Sequence, residues 1–218
     1  MIGDPAAIEA FIRENTQIVS PPLVPELRLR LATEMVPIWQ ASETTLEEIG
    51  IEPPYWAFCW PGSQALARLL LDEPERVAGR RVLDFAAGSG LAAIAAARSG
   101  ATGIANEIDP VAMAAIVMNA ALNDVSVALE PGDLTASHQG RWDVVLAGDV
   151  CYQRGMAERA VAWLRGLAAA GSEVLLADPG RSYLPAHGLE AVARYTVPTS
   201  LDLEDRVNRE CVVWRVQP

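Results

Sequence analysis

Lysine does not occur in this 218-residue chain, so all seventeen positively charged side chains are arginine. A uniform choice of that kind fits GC-rich codon usage and implies no fold. Cysteine is scarce as well. Cys59, Cys151 and Cys211 are odd in number, far apart and without a C-x-x-C pair, which excludes a disulfide framework and a zinc site. The two histidines, His138 and His187, sit apart in polar stretches and read as surface residues; no metal site is expected. No apolar run approaches the ~18 residues of a membrane span. The N-terminus (Met1-Ile2-Gly3-Asp4-Pro5) has neither a basic nor an apolar targeting region. A soluble, monomeric protein of a reducing compartment, the cytoplasm, is expected, with no membrane partner. Positive charge is short too: the net charge is −11 and the pI about 4.6. That speaks against a nucleic-acid partner, which calls for a basic patch.

What is present is apolar: 51% of the residues are hydrophobic, enough for one substantial core. The expected division is an N-terminal helix and β-element over residues 1–50 and a main domain over 51–218. Residues 4–15 carry a helical pattern, with Ala7, Ile8, Phe11 and Ile12 on one face and Asp4 placed to cap. Pro25 to Leu31 alternates apolar and charged residues like a half-buried strand, for which Met35 to Gln40 is a candidate partner. Glu52 to Gly62 then packs three prolines, Tyr55, Trp56, Phe58 and Trp60 ahead of a helix over 63–71. Such rings either wall a ligand or pack the seam between the N-terminal element and the core.

From residue 80 the pattern alternates strand and helix with short turns, which predicts a parallel sheet covered on both faces. Strands are expected at 80–85, 101–106, 125–129, 143–148 and 173–178, and helices at 89–98, 110–121 and 156–169. Leu189 to Val197 and Asn208 to Val216 read as two long strands with no long helix between them, hence an antiparallel hairpin at the sheet edge.

Two strand ends carry chemistry. Val82 to Phe85 runs into Ala86-Ala87-Gly88-Ser89-Gly90 and then an Ala-rich helix. Small residues there let a ligand approach the backbone, next to the unpaired N–H groups of a helix start. Asp84 closes that strand, and Glu107 closes the next one about twenty residues on, where a carboxylate suits a ribose diol. Val144 to Gly148 ends in Asp149-Val150-Cys151-Tyr152. A carboxylate and a phenol at that place can position an amine and offset the charge it gains on alkylation. Asp149 has the alternative of capping the segment that follows. Asp178-Pro179-Gly180 reads as a turn, and Arg181 either serves the site or pairs with surface carboxylates.

These residues resemble a known family. Asp84-x-Ala86-x-Gly88-x-Gly90, Glu107 and Gly132-Asp133-Leu134 look like the S-adenosylmethionine site of class I methyltransferases. Asp149-x-x-Tyr152 resembles the seven-strand protein-lysine methyltransferases of family 16. Pro53-Pro54-Tyr55-Trp56-Ala57, Trp60-Pro61-Gly62-Ser63-Gln64, Asn106-Glu107-Ile108-Asp109-Pro110 and Ala177-Asp178-Pro179-Gly180-Arg181 extend the likeness to the electron-transfer-flavoprotein β-subunit lysine methyltransferases, over roughly residues 50–185. The resemblance implies an α/β, Rossmann-like fold with a seven-stranded, mostly parallel sheet and a C-terminal antiparallel hairpin, plus a small N-terminal α/β extension. It implies S-adenosylmethionine as cofactor, bound by Trp60, Gly62, Asp84, Ala86, Gly88, Gly90, Glu107, Asp109, Asp133 and Gly148. Asp149 and Tyr152 would then be catalytic, and Tyr55, Trp56 and Arg181 would meet the substrate, a lysine of the flavoprotein β subunit. Asp133 reads equally as a strand-end turn residue. Ala86 departs from the family's glycine, which is tolerable if its φ is negative.

Other readings share parts of this pattern. Another amine, on a ribosomal protein or a small molecule, would use the same site. A non-catalytic binding module would keep the sheet alone. Pro53-Pro54-Tyr55-Trp56 resembles the Asn-Pro-Pro-Tyr motif of amino-methylating DNA enzymes, but Glu52 precedes it and the chain is acidic. A nicotinamide-dependent oxidoreductase would need the full G-x-G-x-x-G spacing.

Overall fold

The computed structural model describes residues 5–32, 54–136, 141–200, 204 and 206–218. Five strands, β3 (Arg81–Phe85), β4 (Thr102–Glu107), β5 (Ala128–Pro131), β6 (Val144–Gly148) and β7 (Glu173–Asp178), pair in parallel. Two longer ones, β8 (Leu189–Pro198) and β9 (Asn208–Val216), complete a seven-stranded sheet in the order β5-β4-β3-β6-β7-β9-β8. Only β9 runs against its neighbours, so the terminal hairpin is present as expected. Strand β5 starts later than the pattern predicts, because Asn123 N and Val125 N still donate to Ala120 O and finish the preceding helix.

Alternation along the strands fills two cores. Val82, Val144, Leu146, Leu175, Ala177 and Val213 face one way, against helices α2 (Pro61–Asp72) and α3 (Leu91–Arg98). Leu83, Phe85, Val145, Ala147, Val174 and Leu176 face the other, against Trp142 and the Trp163 face of a long helix, Arg154–Ala169. Helix α2 starts at Pro61, whose fixed φ suits the first helical position.

The N-terminal element is α1 (Pro5–Asn15) followed by a two-stranded ribbon, β1 (Gln17–Val19) and β2 (Leu29–Leu31). The strand expected over 25–31 is reduced to three residues. Prolines at 21, 22 and 25 break it, and Val24 N and Leu27 N close tight turns instead. The partner of β2 is β1; residues 35–40, the anticipated partner, lie outside the described residues, as do Glu52, Pro53 and His138.

The ribbon docks on α4 (Pro110–Leu122), with no further strand beside it among the described residues. Asn119 Oδ1 accepts from Arg30 N (2.8 Å), and Asn123 Oδ1 accepts from Arg28 N (2.9 Å). Asn123 Nδ2 returns a bond to Arg28 O at 2.7 Å. Two amide side chains on a helix thus satisfy backbone groups that a further strand would otherwise pair.

Candidate active site

Strand β3 lies between β4 and β6, and the chain builds β4 and β5 on one side before crossing to β6 on the other. Ligands of open α/β sheets bind outside the carboxyl ends of strands at such a reversal. Two loops flank it here: residues 86–90 after β3 and residues 149–152 after β6.

The first wall is a tight turn. Ala86, Gly88 and Gly90 all adopt positive φ, at 53°, 53° and 78°. This corrects the expectation for Ala86, whose φ is left-handed; an alanine there carries roughly 1–2 kcal/mol of strain. A side chain at Gly90 would press on Ile116 at 3.0 Å, and one at Gly88 would sit 3.8 Å from Trp56 Cα. Glu107 spans the turn: Oε2 accepts from Gly88 N at 3.0 Å and Oε1 from Ile108 N at 2.8 Å. Burial raises its pKa, and these backbone bonds oppose the rise. Asp84 lies beneath the turn at 3% exposure, where Oδ2 accepts from Ala93 N (2.9 Å) in the first turn of α3. Burial pushes its pKa up to about 8. Asp84 therefore ties strand to helix beneath the turn. Asp109 caps α4 through Val111 N (2.7 Å), and Asp133 is an exposed turn residue bonded to Thr135.

The second wall is a charge network. Asp149 also has positive φ (57°) and is 7% exposed. Its Oδ2 accepts from Gly62 N at the start of α2 (2.5 Å), and its Oδ1 accepts from Arg181 Nη2 (2.9 Å) and Nε (3.3 Å). Gly62 and Gly148 make this approach possible. A Cβ on Gly62 would stand 2.5 Å from Ala177 O and from Asp149 Oδ2, and one on Gly148 would stand 2.9 Å from Ser63 N. Arg181 Nη2 also donates to Glu204 Oε1 (2.7 Å), and Glu204 Oε2 accepts from Arg209 Nε (3.0 Å). Of the two readings of Arg181, pairing with carboxylates is what the geometry has, although the carboxylates are buried ones.

Aromatic rings border that network. The Trp60 ring lies 5.7 Å from the Arg181 guanidinium, Tyr55 packs on Trp60 at 6.1 Å, and Tyr55 meets Tyr152 at 5.7 Å. Tyr152 is 44% exposed, at the mouth. Trp56 and Phe58 face the other way, into a cluster with Ile8, Ile12, Ala112 and Ala115. The aromatic stretch thus divides: Tyr55 and Trp60 wall the site, while Trp56 and Phe58 pack the seam. Trp56, expected against the substrate, is 4% exposed and buried under α1 and α4.

A family model described as ribosomal protein L11 methyltransferase (PrmA) matches residues 35–150. The electron transfer flavoprotein beta subunit lysine methyltransferase of Xenopus laevis is 38% identical over 216 residues, covering 96% of this chain and 87% of the relative. The Homo sapiens protein of that name is 37% identical over 222 residues, covering 97% and 82%. The chain belongs to the electron transfer flavoprotein β-subunit lysine methyltransferase family. Among solved structures, the ribosomal protein L11 methylase of Lactobacillus delbrueckii subsp. bulgaricus superposes with a TM-score of 0.54 at 22% identity, covering 93% of this chain and all of that one. Magnesium protoporphyrin IX methyltransferase from Synechocystis, with bound SAH, gives 0.51 at 17%, covering 70% and 81%. Both share the class I methyltransferase fold.

Within this methyltransferase fold, several polar groups escaped the sequence reading. Asn119 Nδ2 donates to Ser89 O inside the turn (3.0 Å), and Asn106 Nδ2 bridges Glu130 O and Gly132 O at 2.7 and 2.8 Å. Glu204 and Arg209 come from the hairpin, far from any motif; a buried acid between two arginines was the only signal available. The electrostatics of the second wall follow from burial. It pushes Asp149 up to about 7, against the pull of Arg181, with Asp178 adding to the rise. Asp178 holds its own loop: Oδ1 accepts from Gly180 N and Arg181 N (2.7 and 2.6 Å), which shapes the loop that presents Arg181. Burial likewise raises the thiols of Cys59, Cys151 and Cys211, Cys151 to about 12, so none is a thiolate nucleophile. The small-residue turn with its carboxylate-held N–H fits a nucleotide-bearing methyl donor, and the opposite carboxylate fits an amine acceptor.

Proposed function

We propose that this chain transfers a methyl group from S-adenosylmethionine to a lysine Nζ of the electron transfer flavoprotein β subunit. One observation carries the reading. The Asp149 carboxylate and the Tyr55–Trp60–Tyr152 rings stand across the sheet reversal from the Ala86–Gly90 turn. The relatives' names supply the substrate.

S-adenosylmethionine would supply a methyl group on a sulfonium, and an uncharged amine would take it in line as the C–S bond breaks and a neutral thioether leaves. The chain's part is alignment and charge. Gly88, Gly90 and the Glu107 carboxylate would hold the donor, with Trp60 and Gly148 at its edge and Asp109 and Asp133 fixing the loops around it. A free lysine of pKa ~10.4 is almost wholly charged at neutral pH, and a wall of aromatic rings disfavours the ammonium. Asp149 then accepts the amine N–H and offsets the positive charge that develops on nitrogen. Tyr152 borders the lysine stem at the mouth. A groove of about 410 Å³ between the 154–169 helix and Tyr183–Pro185 starts beside that loop, since Tyr183 N reaches Cys151 O; it is where a protein substrate would rest.

The same reading includes the division near residue 50, a monomer, and a cytoplasmic, reducing setting supported by three free cysteines. No helix among the described residues is long and apolar enough to cross a membrane. The match to ribosomal protein L11 methyltransferases favours a second amine substrate, and it covers the donor turn and Asp149 without Tyr152, Arg181 or Glu204. The deciding experiment incubates the enzyme and labelled donor with purified flavoprotein and, separately, ribosomal protein L11, and maps the modified residue by mass spectrometry. Methyl-lysine on the flavoprotein β subunit is expected. Label only on L11, or on neither, would overturn the substrate.

A further inference from the structure

An arginine beside a carboxylate ordinarily grips it as a fork, one N–H to each oxygen. Arg181 does not. Both of its contacts with Asp149 go to Oδ1, and the Nη2 that makes the shorter one is shared with Glu204 at a closer 2.7 Å. Glu204 is 5% exposed and its own Oε2 is held by Arg209, so the fork has a fixed second anchor. Asp149 Oδ2 is left with Gly62 N as its hydrogen-bond donor.

We infer that Glu204 is a positioning residue for methyl transfer: it draws Arg181 sideways, so that Asp149 keeps acceptor capacity and a net negative balance for the substrate amine. The inference rests on the lysine reading above. As the methyl group moves, positive charge leaves sulfur and appears on nitrogen, so a negative balance beside that nitrogen favours the transition state. Asp149 and Arg181 alone would cancel. With Glu204 the trio carries one excess negative charge, and Arg209 lies further out with its side chain a quarter exposed. Removing the Glu204 charge leaves Arg181 one buried partner, Asp149, and both effects lower the carboxylate's proton affinity and its use to the amine.

The groups around Asp149 that bear on its titration are Arg181, Asp178, the buried thiols Cys59, Cys151 and Cys211, and the N-terminal backbone of α2. Glu204 and Arg209 act through Arg181. The test labels aspartate carboxyl carbons with ¹³C, assigns Asp149 by its loss in Asp149→Asn, and follows its titration beside transfer kinetics. In Glu204→Gln the Asp149 midpoint should fall by roughly one unit. The same variant should lose about tenfold or more in kcat/KM, with donor affinity within about twofold of wild type. Glu204→Asp, which restores the charge on a shorter stem, should recover part of both. Arg209→Met unmasks Glu204 and should move the midpoint the opposite way, upward. It also keeps the question answerable if Glu204→Gln does not fold.

An unmoved midpoint in both variants, or one that moves the same way in both, overturns the inference. So does equal loss of transfer in Glu204→Gln and Glu204→Asp with the midpoint unchanged. Wild-type enzyme silent on the flavoprotein overturns the substrate instead; the titration needs no substrate and still decides whether Glu204 draws Arg181 off Asp149.

Discussion

The two walls of the crevice are built on the same backbone device and finished in different ways. Each loop leaves its strand through a left-handed L-residue, Ala86 at φ 53° after β3 and Asp149 at φ 57° after β6. On the β3 side the chain then spends glycines, and its polar contacts are mostly backbone N–H groups held by Glu107 and Asp84. On the β6 side the polar contacts are side-chain charges: Asp149, Arg181, Glu204 and Arg209. Under the proposed reading the donor meets mostly main chain, whereas the acceptor meets side chains that can change.

The contrast can be broken in four places. Asp149→Ala should cut transfer by about a hundredfold or more while donor affinity holds. Glu107→Ala should instead weaken donor binding by about tenfold, the worth of one charge-assisted hydrogen bond. Calorimetric titration of donor into both variants, beside single-turnover transfer, separates the two, and equal loss of donor affinity would erase the division of labour. Gly62→Ala comes next. Its Cβ would meet Ala177 O and the Asp149 backbone, neither of which can swing aside, so a loss of about 1–3 kcal/mol is expected, read as a fall in Tm of about 2–4 °C per kcal/mol.

A third effect is a pH slope. Burial raises Asp84 to about 8 and Asp149 to about 7 from an ordinary 3.8. Between these limits the folded chain keeps protons that the unfolded chain has released. The stability they contribute is therefore complete below about pH 4 and is lost as pH climbs through 7 to 8. Asp84→Asn, which keeps an acceptor for Ala93 N, should flatten the decline of Tm between pH 5 and 8; an unchanged slope would refute the assignment. The smallest effect is Ala86→Gly. Relief of ~1–2 kcal/mol of left-handed strain is largely offset by ~0.4–1 kcal/mol of extra unfolded-chain entropy, so the denaturant midpoint should rise slightly at most and donor affinity should hold.

Legibility followed the same division. The strands around the turn, Glu107 and Asp149-x-x-Tyr152 were readable because backbone constraints act over a few consecutive residues. Arg181 and Asp149 were found but their pairing and Glu204 were not, since Glu204 reaches Arg181 only after β8 and β9 fold back beside β7. Trp56 was read as a substrate contact because an aromatic loop says nothing of which way each ring faces. Ala86 was read as tolerable on condition of a negative φ; its φ is 53°, in a turn closed by the Ala87 N bond to Asn106 O and the Gly90 N bond to Ala87 O. The strand in the N-terminal ribbon is shorter than the alternation of Leu27 to Leu31 suggests: three residues pair with β1, and asparagine amides on a helix hold Arg28 N and Arg30 N.

Those amides have a wider effect. Asn119 grips Arg30 N with its oxygen and Ser89 O with its nitrogen, so one side chain fastens the ribbon and the glycine turn to each other. Stiffening the turn with a donor should therefore quiet the far strand, and amide exchange at Arg28 and Arg30 should slow as S-adenosylmethionine is added. The ribbon would thus report, from outside the crevice, on how full the crevice is.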